Sequence, residues 1–298
     1  MSAPAPTRCG STWLRWGERT YIMGIVNVTP DSFSGDGLSH DPAAAVAHGL
    51  ALVADGADVL DVGGESTRPG ATPVPAAEEQ RRILPVIERL AAGAGVPISV
   101  DTSRAATAAA ALRAGATIVN DVWGLRRDPD MARVVAEAGA AVVIMHNRTT
   151  PPLVSPGVGG HYAPADYGDD LVAEVLAWLR QSLALARAAG IAEEQIIVDP
   201  GIGFGKGLRQ NVEVIRRLGE FRALGRPLLL GSSRKSFIGR LLGGLPPQER
   251  LEGTAATVAL GIANGADIVR VHDVRAMARV ARVADAIVRG RIEAPEER

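Results

Sequence analysis

The chain has 298 residues, enough for one large α/β domain or two ordinary ones, and 47% of them are hydrophobic. Aromatics are only 4%, so the core has to be built from Ala, Val, Leu and Ile, and the net charge of −1 gives no electrostatic reason to expect nucleic acid or an anionic membrane as partner. Cys9 is the single cysteine, which excludes an intramolecular disulfide and a cysteine metal site and fits a reducing cytoplasm.

In chain order, residues 1–11 are Ala/Pro-rich without the apolar stretch of a secretory signal, and are expected to form a flexible tail. Segments 12–16 and 19–22 flank Gly17-Glu18 and predict a short β-hairpin, placed to plug the bottom of a barrel. Apolar runs then recur at 21–28, 57–62, 97–101, 117–120, 141–146, 195–199, 227–231 and 267–271. Between them lie stretches of helical spacing at 42–55, 76–92, 104–114, 129–138, 169–189, 209–218 and 248–264, with 274–288 after the last run. Near-continuous apolar strands imply a sheet covered on both faces. Eight such strand–helix units in roughly 270 residues predict a single (β/α)8 barrel over 12–290. A charged tail comes last, at 291–298. The rival, a doubly wound open sheet, would carry a Gly-rich dinucleotide turn after the first strand, where this chain has Asn27-Val28-Thr29-Pro30. Asp41-Pro42 and Asp128-Pro129 each read as an N-cap with proline at the first helical position. Glycine after Asp55, Ala114, Ala138, Ala189 and Asn264 marks helix ends. The long Pro/Gly-rich loop 147–167 is either functional or merely tolerated.

Polar residues gather where the apolar runs end. Asn27 can orient a phosphate, ligate Mg²⁺ through its amide oxygen, or cap the turn after it. The stretch from Asp61 through Gly63-Gly64 to Thr67-Arg68-Pro69-Gly70 is a glycine-rich loop, with Arg68 suited to an anion. Asp101, Asn120 and Asp199 close the third, fourth and sixth runs. Carboxylates in an apolar mouth are costly unless paired, so they call for a ligand with adjacent N–H donors, such as the edge of a 2-aminopterin. Asp121 can instead cap its own turn. The string Gly201 to Gly207 fails as a Walker A loop, since three residues rather than four precede Gly205-Lys206, and Gly207 replaces the Ser or Thr. It reads as a mobile loop bringing Phe204 and Lys206 to a ligand. Lys235, Arg270 and His272 leave the seventh and eighth runs, where this fold usually binds phosphate, and Arg270 and His272 share a strand face. His146 lacks zinc-site partners and reads as lining.

The strings from Gly24 to Ser34, from Asp61 to Pro69, Val198-Asp199-Pro200-Gly201, Ser233-Arg234-Lys235-Ser236 and Arg270-Val271-His272 together resemble the dihydropteroate synthase family of folate biosynthesis. The resemblance covers about residues 20–290. It implies condensation of 6-hydroxymethyl-7,8-dihydropterin diphosphate with 4-aminobenzoate in a cytoplasmic homodimer. By motif, Asp101, Asn120, Asp199 and Lys235 would hold the pterin. Asn27 would ligate Mg²⁺, and Arg270 and His272 would bind the diphosphate. Thr67, Arg68, Pro69, Phe204, Lys206 and Ser236 would form the aminobenzoate side, where sulfonamides compete. Asp101, Lys235, Arg270 and His272 would carry the chemistry. A methyltetrahydrofolate-type methyltransferase would have no use for a diphosphate site. A non-catalytic pterin-binding paralogue is the other alternative, and the intact Glu65-Ser66-Thr67-Arg68 string argues against it.

Overall fold

The computed structural model describes residues 3–29, 41–65, 74–149, 165–290 and 292. An antiparallel hairpin pairs β1 (Thr7–Cys9) with β2 (Thr12–Leu14). Eight parallel strands come next: β3 (Tyr21–Asn27), β4 (Val59–Gly63), β5 (Ile98–Asp101), β6 (Ile118–Asp121), β7 (Ala141–Met145), β8 (Ile196–Asp199), β9 (Leu229–Leu230) and β10 (Ile268–Val271). They hydrogen-bond in the order β8-β7-β6-β5-β4-β3-β10-β9. The isolated bridge Val198↔Leu228 brings β8 back to β9 and closes the ring, so the (β/α)8 barrel expected from the alternation is the observed fold. Outside it stand α1 (Pro42–Ala54), α2 (Ala76–Gly93), α3 (Ala105–Arg113), α4 (Met131–Ala138), α5 (Leu171–Ala188), α6 (Leu208–Arg216), α7 (Ser236–Leu241), α8 (Leu251–Ala263) and α9 (Val274–Arg289). Among the described residues no helix is long and apolar enough to cross a membrane.

Side-chain alternation divides the core in two. Ile22, Val26, Leu60, Val62, Val100, Val119, Val142, Val198, Val269 and Val271 face outward into the layer packed under the helices. Tyr21, Met23, Val59, Ile118, Val143, Ile197, Leu229 and Ile268 fill the barrel interior. Cys9, Leu14 and Trp16 join that interior cluster, so the hairpin does plug the barrel. It lies earlier in the chain than its composition suggests. Thr7–Cys9, inside the expected flexible tail, forms its first strand, and 19–22 runs into β3. Side-chain bonds hold it there: the Thr7 hydroxyl donates to Glu194 O at 2.6 Å, and Trp16 Nε1 donates to Thr7 Oγ1 at 3.1 Å.

Two further corrections concern helices. Asp41 does cap α1, accepting from Ala43 N at 2.8 Å. Asp128 does not start α4, which begins at Met131. Its carboxylate is shared: Oδ1 accepts the N–H of Asp130 at 3.1 Å in the turn ahead of α4, and Oδ2 accepts the N–H of Ala105 at 2.8 Å, capping the first turn of the neighbouring α3. The short α7 is absent from the expected elements, since six residues are too few to show a helical period. The glycines expected at helix ends, Gly56, Gly115, Gly139, Gly190 and Gly265, all have positive φ.

Candidate active site

The interior alternation continues above the apolar layer. Asp61, Asn120, Asp199 and Arg270 each stand two residues beyond an interior apolar residue, respectively Val59, Ile118, Ile197 and Ile268. They therefore point into the mouth at the C-terminal ends of the strands. Asp101 stands two beyond the buried Ser99, and pairs in register with Asn120. At the end of β3, half-buried Asn27 pairs in register with Gly63.

Arg270 ties this ring together. Its Nε donates to Asp61 Oδ2 at 2.6 Å and its Nη2 to Asp101 Oδ2 at 2.8 Å. Asn120 Nδ2 donates to the same Asp61 oxygen at 2.9 Å. Burial works against the charge of Arg270, but Asp61 and Asp101 outweigh it and raise its pKa. Burial pushes the Asp101 carboxyl up, with the guanidinium opposing. Asp61 has no role in the sequence reading, where it only opens a glycine-rich loop. Its place two residues beyond Val59 is the signal that marks it as interior. It is wholly buried, and its Oδ1 has no hydrogen-bond partner. Asp121, by contrast, turns away and caps its own turn, accepting from Trp123 N and Leu125 N at 2.9 and 2.7 Å.

Asp199 accepts the N–H of Gly201 at 2.7 Å, and burial pushes its carboxyl up to about 6 despite that bond and the charge of Lys235. Gly201 has φ +72, and a Cβ there would lie 1.9 Å from His146 O, so only glycine admits this turn. Lys235 Nζ sits 4.3 Å from the centroid of the Phe204 ring, which packs with Val122 and Met145 at the mouth. Ser233 Oγ lies 3.0 Å from His272 Nδ1. Ser236 is half-buried at the start of α7.

Two residues lie elsewhere than expected. Lys206 is buried, its ammonium donating to Gly201 O at 2.9 Å and Phe204 O at 3.3 Å and lying 2.8 Å from His146 Nδ1. Burial pulls its pKa down to about 7. It fastens the loop from inside instead of presenting a cation to the mouth. His146 is its support. The ring is fully buried, edge-on to Trp178 at 4.9 Å between centroids. While Lys206 is charged its ammonium can only donate, so His146 Nδ1 accepts; when Lys206 is neutral the bond can run either way. Thr67, Arg68 and Pro69 lie outside the described residues. The stems of their loop are joined by Arg104, which bonds Glu65 at 2.6 Å and Val74 O at 2.6 Å.

Residues 23–272 match the family described as pterin binding enzyme. The chain is 49% identical over 275 residues to the dihydropteroate synthase of Bacillus subtilis, covering 92% of this chain and 91% of that one. A Xanthomonas albilineans dihydropteroate synthase solved with 7,8-dihydropteroate superposes with a TM-score of 0.82 at 41% identity, covering 95% of this chain and 98% of that one. The Yersinia pestis enzyme, solved with a sulfonamide drug complex, superposes with a TM-score of 0.88 at 36% identity, covering 96% and 100%. With likeness of this extent in sequence and in fold, the chain belongs to the dihydropteroate synthases of the pterin binding enzyme family.

Proposed function

We propose that the chain condenses 6-hydroxymethyl-7,8-dihydropterin diphosphate with 4-aminobenzoate to give 7,8-dihydropteroate and diphosphate in folate biosynthesis. The observation that carries this reading is the cluster of Asp101, Asn120, Asp199 and Arg270 at the C-terminal ends of the barrel strands, with the charges of Lys235 and Arg270 acting on Asp199 and His272 two residues beyond Arg270. Two carboxylates and an amide match the several N–H donors of an aminopterin edge, and hydrogen bonds to charged acceptors are worth about 1.5–3 kcal/mol each. Lys235 supplies positive charge, and Arg270 and His272 supply N–H donors, for the diphosphate. The methylene C–O bond breaks, diphosphate departs with the electron pair, and the neutral aromatic amine forms the C–N bond and loses a proton to solvent. Stabilising charge on the leaving group is the main demand, and removing one such interaction typically costs about 10²–10³-fold in rate. Phe204 and Ser236, with Thr67, Arg68 and Pro69, form the aminobenzoate side; Lys206 acts there indirectly, by holding the loop.

Mg²⁺ fits the donors. Among the described residues no group of three or more His, Cys, Asp or Glu forms a metal cage. Mg²⁺ commonly takes one or two protein oxygens and completes its shell with substrate phosphates and water. The amide oxygen of Asn27 would be such a ligand, and the ion would add charge stabilisation to the departing diphosphate. The same reading carries a cytoplasmic location, to which the single buried thiol of Cys9 is suited. It also carries a homodimer, supported by the exposed apolar side chains Leu260 on α8 and Val283 and Ile287 on α9. The test is turnover. Purified protein given pterin diphosphate, Mg²⁺ and 4-aminobenzoate should release diphosphate and form dihydropteroate, with a sulfonamide raising the KM for 4-aminobenzoate. No diphosphate release under these conditions would overturn the proposal.

A further inference from the structure

The loops leaving β9 and β10 are joined by two rungs. In the first, Ser233 Oγ lies 3.0 Å from His272 Nδ1 and accepts the backbone N–H of His272 at 3.2 Å. The hydroxyl oxygen has two acceptor lone pairs and one proton, so it can receive the backbone N–H and still share a hydrogen bond with Nδ1, which holds the ring in place. One residue further along each loop, Arg234 grips Asp273 through a fork, Nε to Oδ2 at 2.9 Å and Nη2 to Oδ1 at 2.6 Å. Asp273 stands at the N-cap of α9 but makes no capping bond there. Its carboxylate is committed to the neighbouring loop.

The second rung is anchored on a strained backbone. Among the described residues only Leu125 and Arg234 are non-glycine residues with positive φ, and Arg234 has φ 54. L-residues avoid that conformation, and it persists where surrounding bonds over-determine it, most often beside functional groups. Here the N–H of Arg234 donates to Thr254 Oγ1 at 3.0 Å, and its carbonyl accepts from Arg250 Nη1 at 2.8 Å. The left-handed residue separates Ser233, which reaches His272, from Lys235, which reaches over Phe204.

We propose that Arg234 and Asp273 are positioning residues of the leaving-group side of the site: their ion pair locks the exits of β9 and β10 so that His272 and Lys235 address one anion together. The inference rests on the synthase reading above. The charge of Arg234 is matched by Asp273, so it acts through its neighbours.

The test uses Arg234→Gly, which adopts φ 54 without strain but lacks the fork, with Asp273→Asn, the double variant and Arg234→Lys. Each single variant should lower kcat/KM for the pterin diphosphate about tenfold to a hundredfold, the range in which small misplacements act. The double variant should fall no further than the worse single one. Arg234→Lys keeps the charge without the planar fork and should not restore turnover. Nitrogen NMR of His272 should show a changed balance of tautomers in Arg234→Gly, because the Ser233 contact at Nδ1 is loosened. Wild-type turnover in both single variants, multiplicative losses, or full rescue by Arg234→Lys would overturn the lock. Calorimetry with inorganic pyrophosphate and Mg²⁺ separates this inference from the one beneath it. If the wild-type chain makes no dihydropteroate yet Arg234→Gly weakens pyrophosphate binding tenfold, the synthase reading fails and the lock stands. If the wild type turns over and the variants match it in turnover and pyrophosphate binding, the lock fails alone.

Discussion

Asp199 shows how one buried carboxylate sets opposite demands on stability and binding. Burial holds its carboxyl at about 6 in the folded chain, whereas an unfolded aspartate titrates near ~3.9. Between about pH 4 and 6 the folded state therefore holds the extra proton. The stabilising contribution of this group is complete at and below about pH 4 and is lost as pH rises through about 6. Pterin binding runs the other way, because donors on the ligand need the ionised form. Calorimetric titration with a pterin should show affinity weakening by about tenfold per pH unit below about 6. Asp199→Asn should bind weakly at every pH and keep only the shallower slope contributed by Asp101, whose carboxyl burial also raises. A flat pH profile in the wild type would remove Asp199 from the pterin contact. The strand-exit position of Asp199, like those of Asp101, Asn120 and Arg270, is legible because apolar strands ending in a charge leave few places for it. Asp61 is harder to find, because its string reads as the opening of a loop; counting by twos from Val59 finds it. Lys206 misleads because a cation among glycines looks exposed. The imidazole and two carbonyls that receive it come together only in the fold.

Among the elements, the strands are the most legible and the connections the least. Each barrel strand falls within a residue or two of its apolar run, since burial on both faces leaves an unbroken apolar signature. Caps depend on neighbours that the local sequence does not show. Asp128-Pro129 has the composition of a helix start, yet only one carboxylate oxygen serves its own turn, and the other caps α3 in the preceding strand–helix unit. Asp130, at the N-cap of α4, makes no capping bond and pairs with Arg133 on the surface. Asp128→Ala should therefore cost about 1 kcal/mol, the usual value of a lost cap, while Asp130→Ala should stay within about 0.5 kcal/mol. Urea unfolding of both variants measures this. Equal losses, or a larger loss in Asp130→Ala, would show that the cap is misassigned.

At the scale of the molecule, exposed apolar side chains are scattered over several elements, and some of the most exposed stand on the adjoining helices α8 and α9. Leu260 is 59% exposed on α8, and Val283 and Ile287 are 61% and 79% exposed one turn apart on α9. The two helices pack side by side, so these side chains stand on neighbouring elements. Single exposed apolar residues need no explanation, but clustered ones mark an interaction surface. Full burial of each such side chain is worth about 1.5–3 kcal/mol, and a two-fold interface would use every residue of the patch twice. A homodimer through α8 and α9 is the expected state, and sedimentation should find the wild type as a dimer. Val283→Asp with Ile287→Asp sets like charges in that contact and should give monomers. The fold should survive, since both positions are exposed in the single chain. The described ring of Asp61, Asp101, Asn120, Asp199 and Arg270 comes from one chain, so turnover per chain in the monomer should remain within about threefold of the dimer. A wild type that sediments as a monomer would remove the dimer from the proposal. A dimeric double variant would move the interface to another face.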